Sequence, residues 1–220
     1  MSYDEYSFIF EMIQPDHFFV VGDPFQCIYE SLKGASSYYM STLSRNSDVT
    51  TYHLNENFRN KANILQYAQG ALKPLHMRDD SRAMNIGGEI YEGKYDLDRL
   101  VNWIDTTDDY RDWAVLCFTN EEVQFIMNEL KDSFIPVVNF NQRQKTKKEI
   151  DDLMNQNKVK VLTVWGAKGL GFPNVVIYGV NWMLKRSGSK EEGARLNYVA
   201  YTRAMNTLKV LSPVYRKRRY

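Results

Sequence analysis

Apolar positions along the chain follow two periods in turn. Residues 6–13 place Phe8, Ile9, Met12 and Ile13 on one face of a short helix. Residues 18–21 form a continuous apolar run that ends at Gly22-Asp23, the pattern of a central strand buried on both faces. A helical pattern over 38–43 is broken by Asn46-Ser47-Asp48, where a domain boundary is expected. A strand is predicted over 50–54 and a helix over 61–72, stopped by Pro74; residues 73–88 read as a polar loop. Strand patterns then recur at 89–91, 113–118, 135–138, 159–164, 175–180 and 208–211. Helices fit between them at 97–104, 121–130, 146–154 and 191–203. Such alternation predicts an α/β fold built on a largely parallel sheet.

The 220 residues suffice for one domain, or one domain and part of another, and 44% hydrophobic content suits a packed core. A net charge of +1 gives no overall basic field, although a local basic groove needs none. Cys27 and Cys117 lie in apolar segments without metal-ligand spacing and read as reduced thiols of a cytoplasmic protein. The N-terminus lacks a secretory pattern, and no run approaches the roughly 18 apolar residues of a membrane span. Arg216-Lys217-Arg218-Arg219 reads as a solvated basic end, with a phosphate contact as the other reading.

Two segments imitate nucleotide-binding motifs. Residues 88–94 fit the first seven positions of G-x-x-x-x-G-K-[ST], but Tyr95 replaces the hydroxyl that would bind Mg²⁺. Two glutamates inside that loop would repel phosphates, and the stretch alternates like a strand. Asp4-Glu5 follows no buried strand, as a Mg²⁺-holding acid must, and reads as solvated helix charge. The chain therefore contains neither Walker motif and is not expected to hydrolyse ATP by itself.

Five other segments carry chemistry. Residues 21–29 lead from the apolar run into a loop offering the Asp23 carboxylate and the Gln26 amide, which can both donate and accept. Residues 54–59, Leu-Asn-Glu-Asn-Phe-Arg, sit at a strand-to-helix junction; a capping Asn57 with a core Phe58 and a surface Arg59 describes them equally well. In 113–120, Asn120 is expected to cap the following helix. Residues 163–172 bear glycines, Lys168 and an apolar plug between two strands, with core as the plain reading of Trp165. In 195–204, Leu196, Val199 and Ala200 follow helical spacing, whereas nothing structural demands Thr202-Arg203.

In this order the segments resemble motifs III, IV, IVa, V and VI of the UvrD/Rep-like superfamily 1 DNA helicases, from about residue 5 to 212. The resemblance implies a RecA-like fold in which 1–47 end a first motor domain and 48–220 form the second. It implies that Gln26, Arg59 and Arg203 sense or stabilise the γ-phosphate, that Phe58 stacks on adenine, and that Tyr29, Thr163, Trp165 and Lys168 line the DNA track. A fixed bidentate guanidinium suits such a phosphate contact. ATP and Mg²⁺ are the implied cofactors, with the metal ligands on a Walker-bearing part supplied in cis or in trans. Single-stranded or duplex DNA is the implied partner, and a membrane is not.

Departures from the pattern are specific. The family glutamate that holds ribose is Gly171, the family histidine that contacts DNA is Trp165, and the aromatic expected after Tyr29 is missing from 30–35. The large accessory insertion is absent or reduced to residues 134–157. An ATP-dependent helicase or translocase part is thus the leading expectation. A non-catalytic DNA- or partner-binding module on a degenerate helicase domain is the alternative. A helicase-nuclease would need a further domain after motif VI.

Overall fold

A computed structural model describes residues 1–29, 34–73, 76–107, 109–140, 146–179 and 189–212. Six strands form one all-parallel sheet: β3 (Glu89–Lys94), β4 (Trp113–Cys117), β5 (Val137–Asn139), β6 (Val159–Thr163), β7 (Phe172–Tyr178) and β8 (Ala204–Ser212), in the order β3-β8-β7-β4-β6-β5. A separate parallel pair joins β1 (Glu56–Lys61) to β2 (Arg82–Asn85). The helices are α1 (Tyr3–Tyr6, continued by a π-helical stretch over Ser7–Ile13), α2 (Tyr38–Ser44), α3 (Ala62–Gly70), α4 (Leu97–Asp105), α5 (Asn120–Asp132), α6 (Lys147–Asn155) and α7 (Lys190–Tyr201).

Strand period two divides the core. Ala114, Leu116, Leu162, Val175, Ile177 and Leu208 face Ile64 and Ala68 of α3 and Leu196, Val199 and Ala200 of α7. Val115, Cys117, Val161 and Val176 face Leu100 and Ile104 of α4 and Val123, Ile126 and Leu130 of α5. Apolar residues on both strand faces are what a parallel sheet covered by helices requires. Ile28, from the N-terminal segment, is fully buried in the first of these clusters.

Several expectations meet this structure differently. Residues 18–21 are not a strand, and Phe19 and Val21 are 90% and 76% exposed. A strand apolar on both faces needs neighbours on both edges, and the described residues supply none. Residues 50–54 are also irregular; the strand lies later, at β1, because its partner is β2 inside the supposed polar loop. Thr119, not Asn120, caps α5: its hydroxyl accepts from Glu122 N while Glu122 accepts from Thr119 N. The Walker-like stretch is β3, laddered onto β8 from Glu89 to Lys94, and Glu5 belongs to a capping box with Ser2. Pro74, Val180, residues 30–33 and 141–145 and the basic end at 216–219 lie outside the described residues. Both cysteines are free, and no helix among the described residues is long and apolar enough to cross a membrane.

Lys160 is the polar exception in the sheet. It is fully buried, and its Nζ donates to the carbonyls of Arg111 and Gln156 at 2.9 and 3.0 Å. Burial, then the nearby Arg111 charge, pushes its pKa from 10.5 down to about 8. Below that value folded and unfolded chains both carry the proton, and the fold bears the whole cost of burying the charge. Between about 8 and 10.5 the unfolded chain binds more protons, so stability contributed by this group rises with pH. Urea unfolding across that window should show wild type gaining on Lys160→Met, and parallel curves would refute it.

Candidate functional site

The turn from α7 into β8 is fixed by Thr202, whose hydroxyl donates back to the carbonyls of Tyr198 and Val199. Arg203 follows and is 1% exposed. Its guanidinium donates to Val199 O (3.0 Å), Leu170 O (2.9 Å) and Thr202 Oγ1 (3.2 Å), and its own carbonyl accepts from Phe172 N. Burial, then the Arg59 charge, lowers its pKa to about 10, while Tyr198 and Asp23 act the other way. At neutral pH it stays charged beside a second guanidinium, an arrangement an anion relieves.

Arg59 is brought there by a side-chain staple. Asn57 Oδ1 accepts from the backbone N–H groups of Arg59 and Asn60, and Asn57 Nδ2 donates to Asn60 Oδ1. Asn60, buried, then donates through Nδ2 to Thr202 O and Ala204 O at 3.0 and 2.6 Å. The second segment is thereby pinned to the Arg203 turn. Asn57 does not cap α3, whose N-cap is Lys61, and Phe58 is exposed rather than core. Arg59 Cδ lies 3.4 Å from where a Cβ at Gly171 would stand. Gly171 thus offers no group to a sugar; the arginine stem covers it instead. Among the described residues neither Arg59 nor Arg203 forms an ion pair.

Gln26 ends a 3₁₀ turn over Pro24–Gln26, with Asp23 as its cap. Its Nε2 donates to Asp23 Oδ2 at 2.7 Å, while Asp23 Oδ1 accepts from Phe25 N. Phe25 packs on Tyr198 of α7, with ring centroids 5.7 Å apart, and the Tyr198 hydroxyl donates to Asp79 at 2.8 Å. Asp23 therefore holds the amide that the sequence singled out, and its charge also bears on Arg203.

A second group gathers where the chain leaves β6. Tyr29 donates to Trp165 O at 3.4 Å, Trp165 Nε1 donates to Ile28 O at 3.3 Å, and Lys168 Nζ stands 5.1 Å from the Tyr29 ring centre. Thr163 Oγ1 accepts from Gly166 N, and Gly169 takes a positive φ of 86° to turn the chain toward β7. The structure thus assembles Tyr29, Trp165 and Lys168 together, and Arg59, Gly171 and Arg203 together. Sequence reasoning missed Asn60 and Asp79. An asparagine following Arg59 at the mouth of an apolar helix was the available sign of the first; the second had none.

Residues 137–213 match the model of the UvrD-like helicase C-terminal domain. The fold is similar to the C-terminal domain of a possible DNA helicase from Lactobacillus plantarum WCFS1, with a TM-score of 0.51 and 17% identity over 71% of this chain and 88% of that one. Xpd4 of S. tokodaii matches at a TM-score of 0.33 and 16% identity, covering 62% of this chain and 37% of that one, too low to carry an argument. No curated protein matches the sequence. Residues 137–213 are thus similar to a UvrD-like helicase C-terminal domain, and the fold of the chain is similar to that of the Lactobacillus domain.

Asn60→Ala removes the amide whose two N–H donors serve two buried carbonyls, and a loss of about 1–3 kcal/mol is expected. Urea unfolding measures it; a midpoint equal to wild type would mean water replaces the amide.

Proposed function

We propose that this chain is the C-terminal part of an ATP-dependent DNA helicase or translocase, closing over nucleotide held mainly by a Walker-bearing part in cis or in trans. In this reading residues 1–47 belong to the first motor domain and 48–220 form the second. The observation that carries it is the convergence of Arg59 and Arg203, two guanidiniums without an ion-pair partner among the described residues, on one turn. A triphosphate supplies the anion such a pair lacks, and Gln26 lies on the neighbouring segment. Phe58, exposed on β1, offers its ring to an adenine. The Mg²⁺ ligands belong to the Walker-bearing part; among the described residues no cluster of His, Cys, Asp or Glu could hold a metal. DNA runs past Thr163 and Lys168, with Tyr29 and Trp165 beneath it.

The donors of Arg203 are turned inward, so reaching phosphate requires exchanging at least the bond to Leu170 O. This inward state and the bare Gly171 favour the competing reading, a binding module that does not hydrolyse ATP. The upstream coding sequence separates the two at once: a frame carrying G-x-G-K-T and D-E-x-x-D supports the motor. In the joined or co-expressed protein, Arg203→Ala should cut DNA-stimulated ATP turnover on the order of 10³-fold or more while largely sparing DNA affinity. Near-normal turnover refutes the role. For the track, Lys168→Ala should weaken oligothymidylate binding whatever the base sequence and reduce the salt slope of log K by about 1. An unchanged slope in a fluorescence anisotropy titration removes Lys168 from the track.

A further inference from the structure

Ile28 and Tyr29, just past the Pro24–Gln26 turn, and the turn over 164–170 are far apart in sequence yet share two bonds that cross in opposite senses. The Trp165 indole N–H donates to Ile28 O, and the Tyr29 hydroxyl donates back to Trp165 O. Each segment therefore gives one donor and receives one, and neither can slide along the other without breaking both. Lys168, three residues past Trp165, lays its ammonium on the face of the Tyr29 ring. Ile28 drives the same contact from below, fully buried in the sheet core, and the half-buried Trp165 ring packs on that core. The indole N–H is thus engaged with protein, and one face of Tyr29 is covered by Lys168.

We infer that Trp165 is a positioning residue: with Tyr29 it forms a clasp that holds the Gln26 segment on the Lys168 turn, so that the two move as one unit. An indole suits the task because it combines a ring for the core with one outward N–H donor; phenylalanine keeps only the ring. For the function proposed above, on which this meaning rests, the clasp links the nucleotide-facing amide directly to the nucleic-acid-facing lysine. It requires no relay through the sheet.

Hydrogen–deuterium exchange at the Phe25 and Gln26 amides, both bonded to Asp23, reads the clasp. Trp165→Phe should speed exchange there about 5-fold, the scale of one lost hydrogen bond, while amides of β4 and β7 stay as in wild type. Tyr29→Phe, which leaves the Trp165 ring in the core, should act in the same direction. Oligothymidylate should slow these two amides in wild type and fail to slow them in Trp165→Phe, an effect that loss of packing alone would not produce. If both variants exchange like wild type without oligonucleotide, the clasp is refuted even where oligothymidylate binds. If both exchange faster but wild type binds no oligothymidylate, the clasp stands and the nucleic-acid reading falls.

Discussion

A guanidinium kept out of water organises this molecule. Burying a charge costs several kcal/mol unless hydrogen bonds replace its hydration, and Arg203 obtains them from three places: Val199 in α7, Leu170 before β7, and its neighbour Thr202. The end of α7, the start of β8 and the turn leading into β7 must therefore hold one geometry together. Asn60 adds β1 to the same knot through the carbonyls on either side of Arg203. The second arginine is thus positioned by an uncharged amide rather than by an acid. Neither cation forms an ion pair among the described residues, whereas a carboxylate staple would have supplied one.

The sheet turns that knot into a connected site. In the order β7-β4-β6, residues 164–171 must carry the chain from the carboxyl end of β6 to the amino end of β7, passing β4. One crossing segment therefore holds Trp165 near its beginning, Lys168 just past its middle and Leu170 and Gly171 at its end. The lysine group and the arginine group are thus joined by a few residues of backbone. Ala167 is buried and fixes the middle of that crossing. The Leu170 carbonyl that accepts from Arg203 therefore sits on the same short segment as Trp165.

Those features were unequally legible in the sequence. The strands at 113–118 and 159–164 were readable to within a residue: β4, buried on both faces, is an uninterrupted apolar run, and β6 is broken only by Lys160 ahead of its terminal Thr163. β2, Arg-Ala-Met-Asn, leaves no such trace: it is exposed, short and paired only with β1. Residues 50–54 carried β-branched and aromatic residues but no partner, and propensity without pairing makes no strand. Thr119 and Asn120 could each have capped α5, and the decision lay three residues on, where Glu122 completes a box only with Thr119. The motif arginines and glutamine were visible as letters. What holds the arginines, the Asn60 bonds to Thr202 and Ala204 and the Leu170 carbonyl, was not, because those contacts join segments distant in sequence, whereas Asp23 and Gln26 stand three residues apart in one loop.

Gly171 shows why a departure from a pattern should be weighed by the space around it. Its backbone is not in the left-handed region, so no turn demands a glycine here. A Cβ would instead come within 2.8 Å of Met205 Cε and 3.4 Å of Arg59 Cδ. Met205 ends in a flexible methyl and can swing away; Arg59 cannot as easily, since Asn57 and Asn60 hold its backbone on the Arg203 turn. A side chain at 171 would therefore lie against the Arg59 stem. The glycine gives up a group that could hold a sugar and leaves room for the guanidinium beside Arg203. Restoring the carboxylate alone would place it against Arg59, where ion pairing would neutralise one of the two cations.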